Sequence, residues 1–312
     1  MARRHGVGEL ILVRDIRVNA RFRRSGMDRA VVSVAVALVA VVLTGCGSTD
    51  PDTAASAAST APAGVMPASH IHGVGIDPAG GTRLLATHDG LFVVGEDGVS
   101  TRIGPAIDLM GFAVAGPGHF LASGHPGPGV DLPQPVGLIE STDGGRTWDP
   151  LSRQGESDFH ALAVSDTGVI AYDGSLWRSH DGAEWEQVAI PSAPATLAAA
   201  PDDMRLLATT QQGLLQSADG GRSWSPVVGA PLLQVVDWSP HGDSVAGVDP
   251  TGVLWTSADG GATWQEGPNL GSAPQALDVS GSGAAARILV VTTEALVESQ
   301  DNGRTFDIVL EH

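Results

Sequence analysis

Histidine and acidic residues form the most reactive pattern in this sequence of 312 residues. His70 and His72 are two positions apart, so in a β-strand their imidazoles point to the same side. Imidazole and carboxylate are ligands of zinc and copper, and a nearby thioether favours copper. The sequence therefore predicts a metal or polar-ligand site if the fold brings together His70, His72, His88, Met110, His125 and His160 with Asp108, Asp158 and Asp173.

The three acids allow a second chemistry. Two of Asp108, Asp158 and Asp173 could act on a glycan as acid and as base or nucleophile. The sequence leaves open whether such a catalytic pair exists, so a binding site and a hydrolase site both remain possible at this stage.

A repeated segment indicates the fold that positions these residues. It reads STDGGRTW, SHDGAEW, SADGGRSW, SADGGATW and SQDNGRTF, starting at Ser141, Ser179, Ser217, Ser257 and Ser299. Its central acids are spaced by 38, 38, 40 and 42 residues, and they are Asp143, Asp181, Asp219, Asp259 and Asp301. This period fits one four-stranded propeller blade. Asp, Ser and Gly in such a cluster are typical of a hairpin turn, so we interpret these acids as structural.

These five segments resemble the Asp-box (BNR) repeats of sialidases, sortilin-type receptors and photosystem II assembly propellers. The resemblance covers about residues 70 to 310, and it is weaker at Ala183, Glu184, Asn302 and Phe306. A sixth unit without a good copy of the segment precedes the five. We therefore expect an all-β fold, a six-bladed β-propeller of four-stranded antiparallel blades.

The resemblance also implies how a sialidase would work. Such enzymes clamp the substrate carboxylate with three Arg and use a Tyr backed by an acid as nucleophile. Tyr172 is the only tyrosine and becomes a catalytic candidate beside Asp108, Asp158 and Asp173. Only Arg102 and Arg153 could reach the same end of the propeller, so we do not expect a true sialidase. The sequence is also similar to exported bacterial propellers described as glycosyl hydrolases, through HxHG at residues 70–73, THxGL at 87–91 and DFHAL at 158–162.

Aligning the six units with one another predicts where the reactive residues lie. The second strand of a blade runs antiparallel to the first, so its end lies beside the start of the first strand. At these positions the titratable residues fall in blades one to three. We expect a His- and Asp-rich site at the axial mouth of these blades, and the repeated turns on the opposite face.

The amino terminus differs from the rest of the chain. Eight of the 17 basic residues precede residue 30, and an uncharged apolar run follows at 30–43. Leu43-Thr44-Gly45-Cys46 resembles the bacterial lipobox, which implies lipid on Cys46, the only cysteine. We expect a signal peptide at 1–45, with Met27 as an alternative start, a lipidated Cys46 and flexible linker at 46–67, and the propeller at 68–312. The protein would be exported and anchored as a lipoprotein on the outer face of the bacterial cell membrane.

Charge narrows the choice of partners. Without residues 1–45 the chain has nine Arg against 32 acids, a net charge of about −23, which disfavours nucleic acid. Besides the membrane, the expected partners are a copper or zinc ion, a glycan or an envelope protein. The leading prediction is a binding or accessory module of the cell envelope. The alternatives are a glycoside hydrolase and an assembly factor that holds another protein.

Overall fold

The structure is a computed structural model that describes residues 64–67, 69–201 and 204–312. The expected signal peptide, Cys46 and most of the expected linker lie outside the described residues. Within them, no helix has the length and apolar character needed to cross a membrane.

Apart from β1, the strands form six four-stranded antiparallel sheets in chain order, which confirms the predicted six-bladed propeller. Blade one contains β2 (Ile71–Asp77), β3 (Thr82–Thr87), β4 (Gly90–Val94) and β5 (Ser100–Ile103). Blade two contains β6 (Ile107–Gly116), β7 (His119–Pro126), β8 (Leu138–Ser141) and β9 (Asp149–Ser152). Blade three contains β10 (Ala161–Ser165), β11 (Gly168–Tyr172), β12 (Leu176–Ser179) and β13 (Trp185–Val188).

The second half of the chain continues this pattern. Blade four contains β14 (Pro194–Ala199), β15 (Leu206–Thr210), β16 (Gly213–Ser217) and β17 (Ser225–Pro226). Blade five contains β18 (Val235–Trp238), β19 (Val245–Val248), β20 (Val253–Ser257) and β21 (Gln265–Asn269). Blade six contains β22 (Pro274–Ser280), β23 (Arg287–Thr292), β24 (Ala295–Ser299) and β25 (Asp307–Glu311), and a short 3₁₀ helix, Gly283–Ala285, connects β22 to β23.

Blade six has a fifth strand, β1 (Gly64–Val65), from the other end of the described chain. β1 pairs in parallel with β25, and the Met66 N–H continues the pairing by donating to the Glu311 carbonyl at 2.8 Å. Met66 is buried in the apolar cluster between blades six and one. Residues 64–66, which belong to the expected linker, therefore pack against the propeller.

The core is divided among six apolar clusters, each between two neighbouring blades. Phe159 of blade three, for example, is fully buried against Leu121 and Leu138 of blade two. Burying a side chain of this size stabilises a fold by about 1.5–3 kcal/mol. The apolar faces of the blades thus hold the ring together and fix the inner strands side by side around the axis.

The five repeated segments form the same hydrogen-bonded turn. In each, the Ser hydroxyl donates to the Asp carboxylate and accepts a Gly N–H. Backbone N–H and hydroxyl groups of each turn donate hydrogen bonds to its acid; in the first copy both groups belong to Thr147. These hydrogen bonds lower the pKa to about 2 in Asp143, Asp219, Asp259 and Asp301. The pKa of Asp181 is also lowered, chiefly by the N–H groups of Glu184 and Ala183. Each of these acids accepts hydrogen bonds from its own turn and so stabilises that turn.

The turns lie at the end of the propeller away from the starts of the inner strands. In blade two the Gly144 N–H donates to the Gly118 carbonyl at 2.9 Å. Gly118 lies in the connection from β6 to β7, where the inner strand ends. The opposite end, where the inner strands begin, is called the mouth below.

Candidate functional site

Irregular pairing between the first and second strands of several blades shapes the mouth. In the described strands, β2, β6, β14 and β22 each have a register shift near their start, which leaves one extra residue on the inner strand. These extra residues are His72, Met110, Ala195 and Gln275. Such bulges re-aim a side chain and are common beside functional sites. All four residues, together with His160 of blade three, line a central cavity of about 560 Å³ formed by the inner strands of all six blades.

His72, His88 and Asp108 form the first cluster at the mouth. Their potential ligand atoms all lie within 4.8 Å of one another. His72 Nε2 lies 3.4 Å from His88 Nδ1 and 3.8 Å from Asp108 Oδ1, and His88 Nδ1 lies 2.7 Å from that same oxygen. In a tetrahedral zinc site with bonds of about 2.0–2.2 Å, ligand atoms are roughly 3.3–3.5 Å apart. The cluster therefore has the ligand types and the spacing for a small transition-metal ion.

Two features of the surroundings suit a cation. The centroid of the His70 ring lies 6.2 Å from that of His72 and 5.8 Å from that of His88. His70 therefore offers a further imidazole close to the cluster. Burial, followed by the neighbouring His88, lowers the pKa of His72, and Asp108 opposes this effect. A lowered pKa favours the neutral imidazole, which is the form that binds metals.

His125, Asp158 and His160 form a second cluster one blade further on. Asp158 Oδ2 lies 2.8 Å from His160 Nε2 and 3.1 Å from His125 Nε2, so one carboxylate oxygen is shared by two imidazoles. Among the described residues, His125 Nδ1 and Asp158 Oδ1 are shut off from solvent and have no hydrogen-bond partner. A buried polar atom without a partner is costly and calls for a ligand or a water.

Local structure explains how blade two brings His125 to this position. Gly124 has a φ of 143°, and a Cβ atom there would lie only 1.9 Å from the Asp108 carbonyl oxygen. Glycine thus lets β7 approach the start of β6 closely. The next residue, His125, then reaches across to Asp158 of blade three.

Two catalytic candidates lie apart from the clusters. Asp173 accepts hydrogen bonds from the Ser157 hydroxyl at 2.7 Å and from the Trp177 indole at 2.9 Å, one on each oxygen. Tyr172 packs against the apolar cluster between blades three and four. Their contacts hold blade three together, so the geometry offers Asp108 and Asp158 to a ligand rather than this pair.

Comparison with known proteins shows the fold. An ancestral GH74 enzyme has a TM-score of 0.51 and 14% identity, over 80% of this chain and 39% of that chain. The GH74 enzyme of Niastella koreensis has a TM-score of 0.50 and 17% identity; the match covers 77% of this chain and 37% of that enzyme. YCF48 bound to D1 peptide has a TM-score of 0.49 and 14% identity; the match covers 78% of this chain and 83% of YCF48. This chain spans less than two fifths of the length of the Niastella enzyme and 39% of the ancestral one. No protein-family model and no curated protein matches the sequence.

Sequence reasoning missed two acids that line the central cavity, Asp237 and Asp278. They occupy equivalent places in β18 and β22, two residues before Ser239 and Ser280. Asp237 accepts the Val279 N–H at 2.7 Å, and Asp278 accepts the Ile76 N–H. Burial raises the pKa of Asp237 to about 7, and burial together with Asp237 raises the pKa of Asp278 well above its usual range. The signal was an acid at the same position in two otherwise apolar inner strands.

Proposed function

We propose that this protein is a lipid-anchored binding module of the cell envelope that holds a transition-metal ion, zinc or copper, at the mouth of its propeller. The ligands are His72, His88 and Asp108. The observation that carries the proposal is that ligand atoms of these three residues lie within 4.8 Å of one another.

The surroundings support a site that exchanges its ion with solvent. The His88 side chain is 46% exposed, and Asp108 and His72 are each about one-fifth exposed. Three protein ligands leave a coordination position for water or a small molecule, as in metal sites that act on a ligand. The mouth opens directly onto the cavity, which gives the fourth ligand room.

The anchoring part of the proposal rests on the sequence. Cys46 follows an apolar run and small residues, and the segment up to residue 63 is rich in Ala, Ser and Thr. Lipid on Cys46 would hold the propeller at the outer face of the membrane, where it meets ions entering the envelope. The acidic charge of the domain attracts cations from the surrounding medium.

Metal retention by the full-length chain tests the proposal. The protein would be purified in detergent without an oligohistidine tag, stripped with a chelator, and titrated with zinc and separately with copper. We expect a His72→Ala/His88→Ala variant to bind zinc at least tenfold more weakly, because two of three ligands are gone. His119→Ala is the matched control, since His119 pairs with Glu140 at 2.7 Å away from the mouth. Equal zinc affinity of the wild type and the double variant would overturn the proposal.

A glycoside hydrolase is the second candidate. The observation that favours it is that Asp108 and Asp158 present carboxylates at the same mouth, each beside histidines. Hydrolysis of a panel of oligosaccharides that is abolished in both Asp108→Asn and Asp158→Asn would establish this activity. If the wild type hydrolyses none of the oligosaccharides, the hydrolase function is excluded for these substrates and the binding function remains the proposal for the site.

A further inference from the structure

Residues 64–66 lie at the outer edge of blade six and contact blade one as well. Gly64–Val65 pairs in parallel with the end of β25, and the Met66 N–H donates to the Glu311 carbonyl at 2.8 Å. A segment that precedes blade one in the sequence is thus attached to the last strand of the ring. These three residues are called the strap below.

A close approach of two backbones places the strap against blade one. A Cβ atom on Gly64 would overlap the carbonyl oxygen of Gly98, and a Cβ atom on Gly98 would lie 2.8 Å from the Gly64 nitrogen. Gly98 lies in the turn between β4 and β5, so this contact belongs to blade one. Glycine at both positions allows the strap to lie against this turn and β25 together.

The last residue of the strap connects it to the start of β2. Met66 is buried in the apolar cluster that contains Ile71 of blade one and Leu296 and Leu310 of blade six. Four residues separate Met66 from Ile71 in the sequence. The strap is therefore linked to the first inner strand through the chain and through packing.

The start of β2 carries His72 to the mouth. Ile71 pairs with Thr87, and the register shift that follows leaves His72 as the extra residue of a bulge. A bulge aims its side chain through the backbone on either side of it. Because Ile71 is buried in the cluster with Met66, its packing fixes the position from which His72 enters the first cluster of the mouth.

We infer that the strap positions His72, so that its attachment to β25 controls the affinity of the mouth for its ion. The inference deepens the proposed function and rests on it, because the controlled site is that of His72, His88 and Asp108.

The strap is built to open more easily than the blades. Among the described residues its backbone is held by a two-residue pairing and one further hydrogen bond, and Val65 is 75% exposed. Short, exposed elements of this kind open locally without unfolding of the rest of a protein. Opening would free the start of β2 and lower the affinity of the mouth.

Hydrogen exchange and zinc titration of the full-length protein, in detergent and without an oligohistidine tag, test the inference. Gly64→Val places a side chain against the Gly98 carbonyl, and Met66→Ala removes most of the buried side chain of the strap. We expect both variants to exchange the amides of residues 69–76 about tenfold faster than the wild type and to bind zinc about tenfold more weakly.

Three variants serve as controls. Val65→Ala changes an exposed side chain of the strap and Met66→Leu preserves the volume of the buried one, so both should stay within about twofold of the wild type in both measurements. Leu254→Ala removes a fully buried side chain from the cluster between blades five and six. It should lower the melting temperature but leave the zinc affinity within about twofold, because it does not touch the strap.

The outcomes separate the inference from the proposed function. If the wild type binds zinc and both Gly64→Val and Met66→Ala bind it equally well, the inference is overturned and the proposed function stands. An equal loss of affinity in Leu254→Ala would also overturn the inference, since a general loss of stability would then explain the effect. If the wild type binds no zinc, the proposed function fails and the control of affinity fails with it. Unchanged exchange at residues 69–76 in both variants would overturn the strap independently of zinc.

Discussion

His72, Met110 and His160 occupy corresponding places in three successive blades and line one side of the cavity mouth. The same place is taken by Ala195 and Gln275 in blades four and six. If the mouth holds an ion as proposed, the thioether of Met110 would offer a soft ligand beside borderline imidazoles. The side chain at this position of each blade would then influence which ion the mouth prefers.

Met110→Leu tests that role. Leucine preserves the volume and apolar character of the side chain but removes the sulfur, so we expect copper(I) affinity to fall by about tenfold while zinc affinity stays within about twofold. Competition with a chromophoric chelator of each metal measures both values. Equal copper(I) affinity in the two proteins would exclude Met110 as a ligand.

The sequence predicted at which end of the fold these residues lie, but not which of them are in contact. His70, His72, His88, His125 and His160 could be assigned to one end of the fold because the repeat allows the blades to be aligned. That His88 contacts Asp108, and His125 contacts Asp158, depends on bulges and on Gly124, which a strand alignment does not reveal. Asp173 matched the pattern equally well, but its oxygens are bound by Ser157 and Trp177.

At the level of elements, a charged bridge joins the last blade to the first. Glu298 of blade six is almost fully buried and accepts hydrogen bonds from Arg83 of blade one and Arg287 of its own blade, both at 2.7 Å. Arg287 also donates to the Gly81 carbonyl. One carboxylate thus fixes two guanidinium groups across the seam where the ring closes.

Glu298→Gln should destabilise the propeller by about 3 kcal/mol, because two partly buried guanidinium groups lose their counter-charge. Glu186→Gln is the matched control. Glu186 also stands between two arginines, Arg178 and Arg222, but it is 55% exposed, so we expect a loss below about 1 kcal/mol. Urea denaturation of both variants measures the difference. Similar losses in the two variants would contradict a special role for the seam.

The paired acids Asp237 and Asp278 link the stability of the inner strands to pH. Each carboxyl accepts an N–H from the inner strand of the next blade. Their folded-state pKa values are raised, so between pH 4 or so and the folded pKa the native state binds more protons than the unfolded chain. Stability therefore decreases as the pH rises through this interval, which for Asp237 ends near 7.

Asp278→Asn should remove part of this pH dependence. The amide oxygen can still accept the Ile76 N–H but carries no charge, so we expect the variant to melt about 2–4 °C above the wild type at pH 8 and to show no gain at pH 4. Asp97→Asn, in an exposed turn, removes the same charge and serves as control. Thermal melting across this pH range decides the point, and a variant less stable than the wild type at pH 8 would contradict it.

For the whole molecule, the period of the five repeated turns, together with a sixth unit of similar length before them, was sufficient to predict six blades. Apolar residues between blades and glycine-rich turns follow from local sequence, and they set the ring. The pairing of β1 with β25 was not predictable, because Gly64 and Val65 lie at the end of a segment with the composition of a linker. Asp237 and Asp278 were missed because neither strand alone marks its acid as unusual, and only a comparison of the two inner strands shows the shared position.

The place of the molecule in the cell is tested by Cys46→Ser. If Cys46 carries lipid, we expect the wild type in the membrane fraction and the variant predominantly in the soluble fraction. The variant has no thiol to which lipid can be attached, and cleavage of its signal peptide would remove the remaining apolar segment. Fractionation with immunodetection, together with incorporation of a labelled fatty acid, measures this. Labelling that persists in the variant would contradict the proposed anchor.

The most direct test of the metal-binding mouth is a crystal structure of the zinc-loaded protein with anomalous diffraction recorded on both sides of the zinc absorption edge. The account predicts an anomalous peak about 2.0–2.2 Å from the ligand atoms of His72, His88 and Asp108. Crystals grown at saturating zinc with no peak at the mouth, or with peaks only at other histidines such as His119, would contradict it.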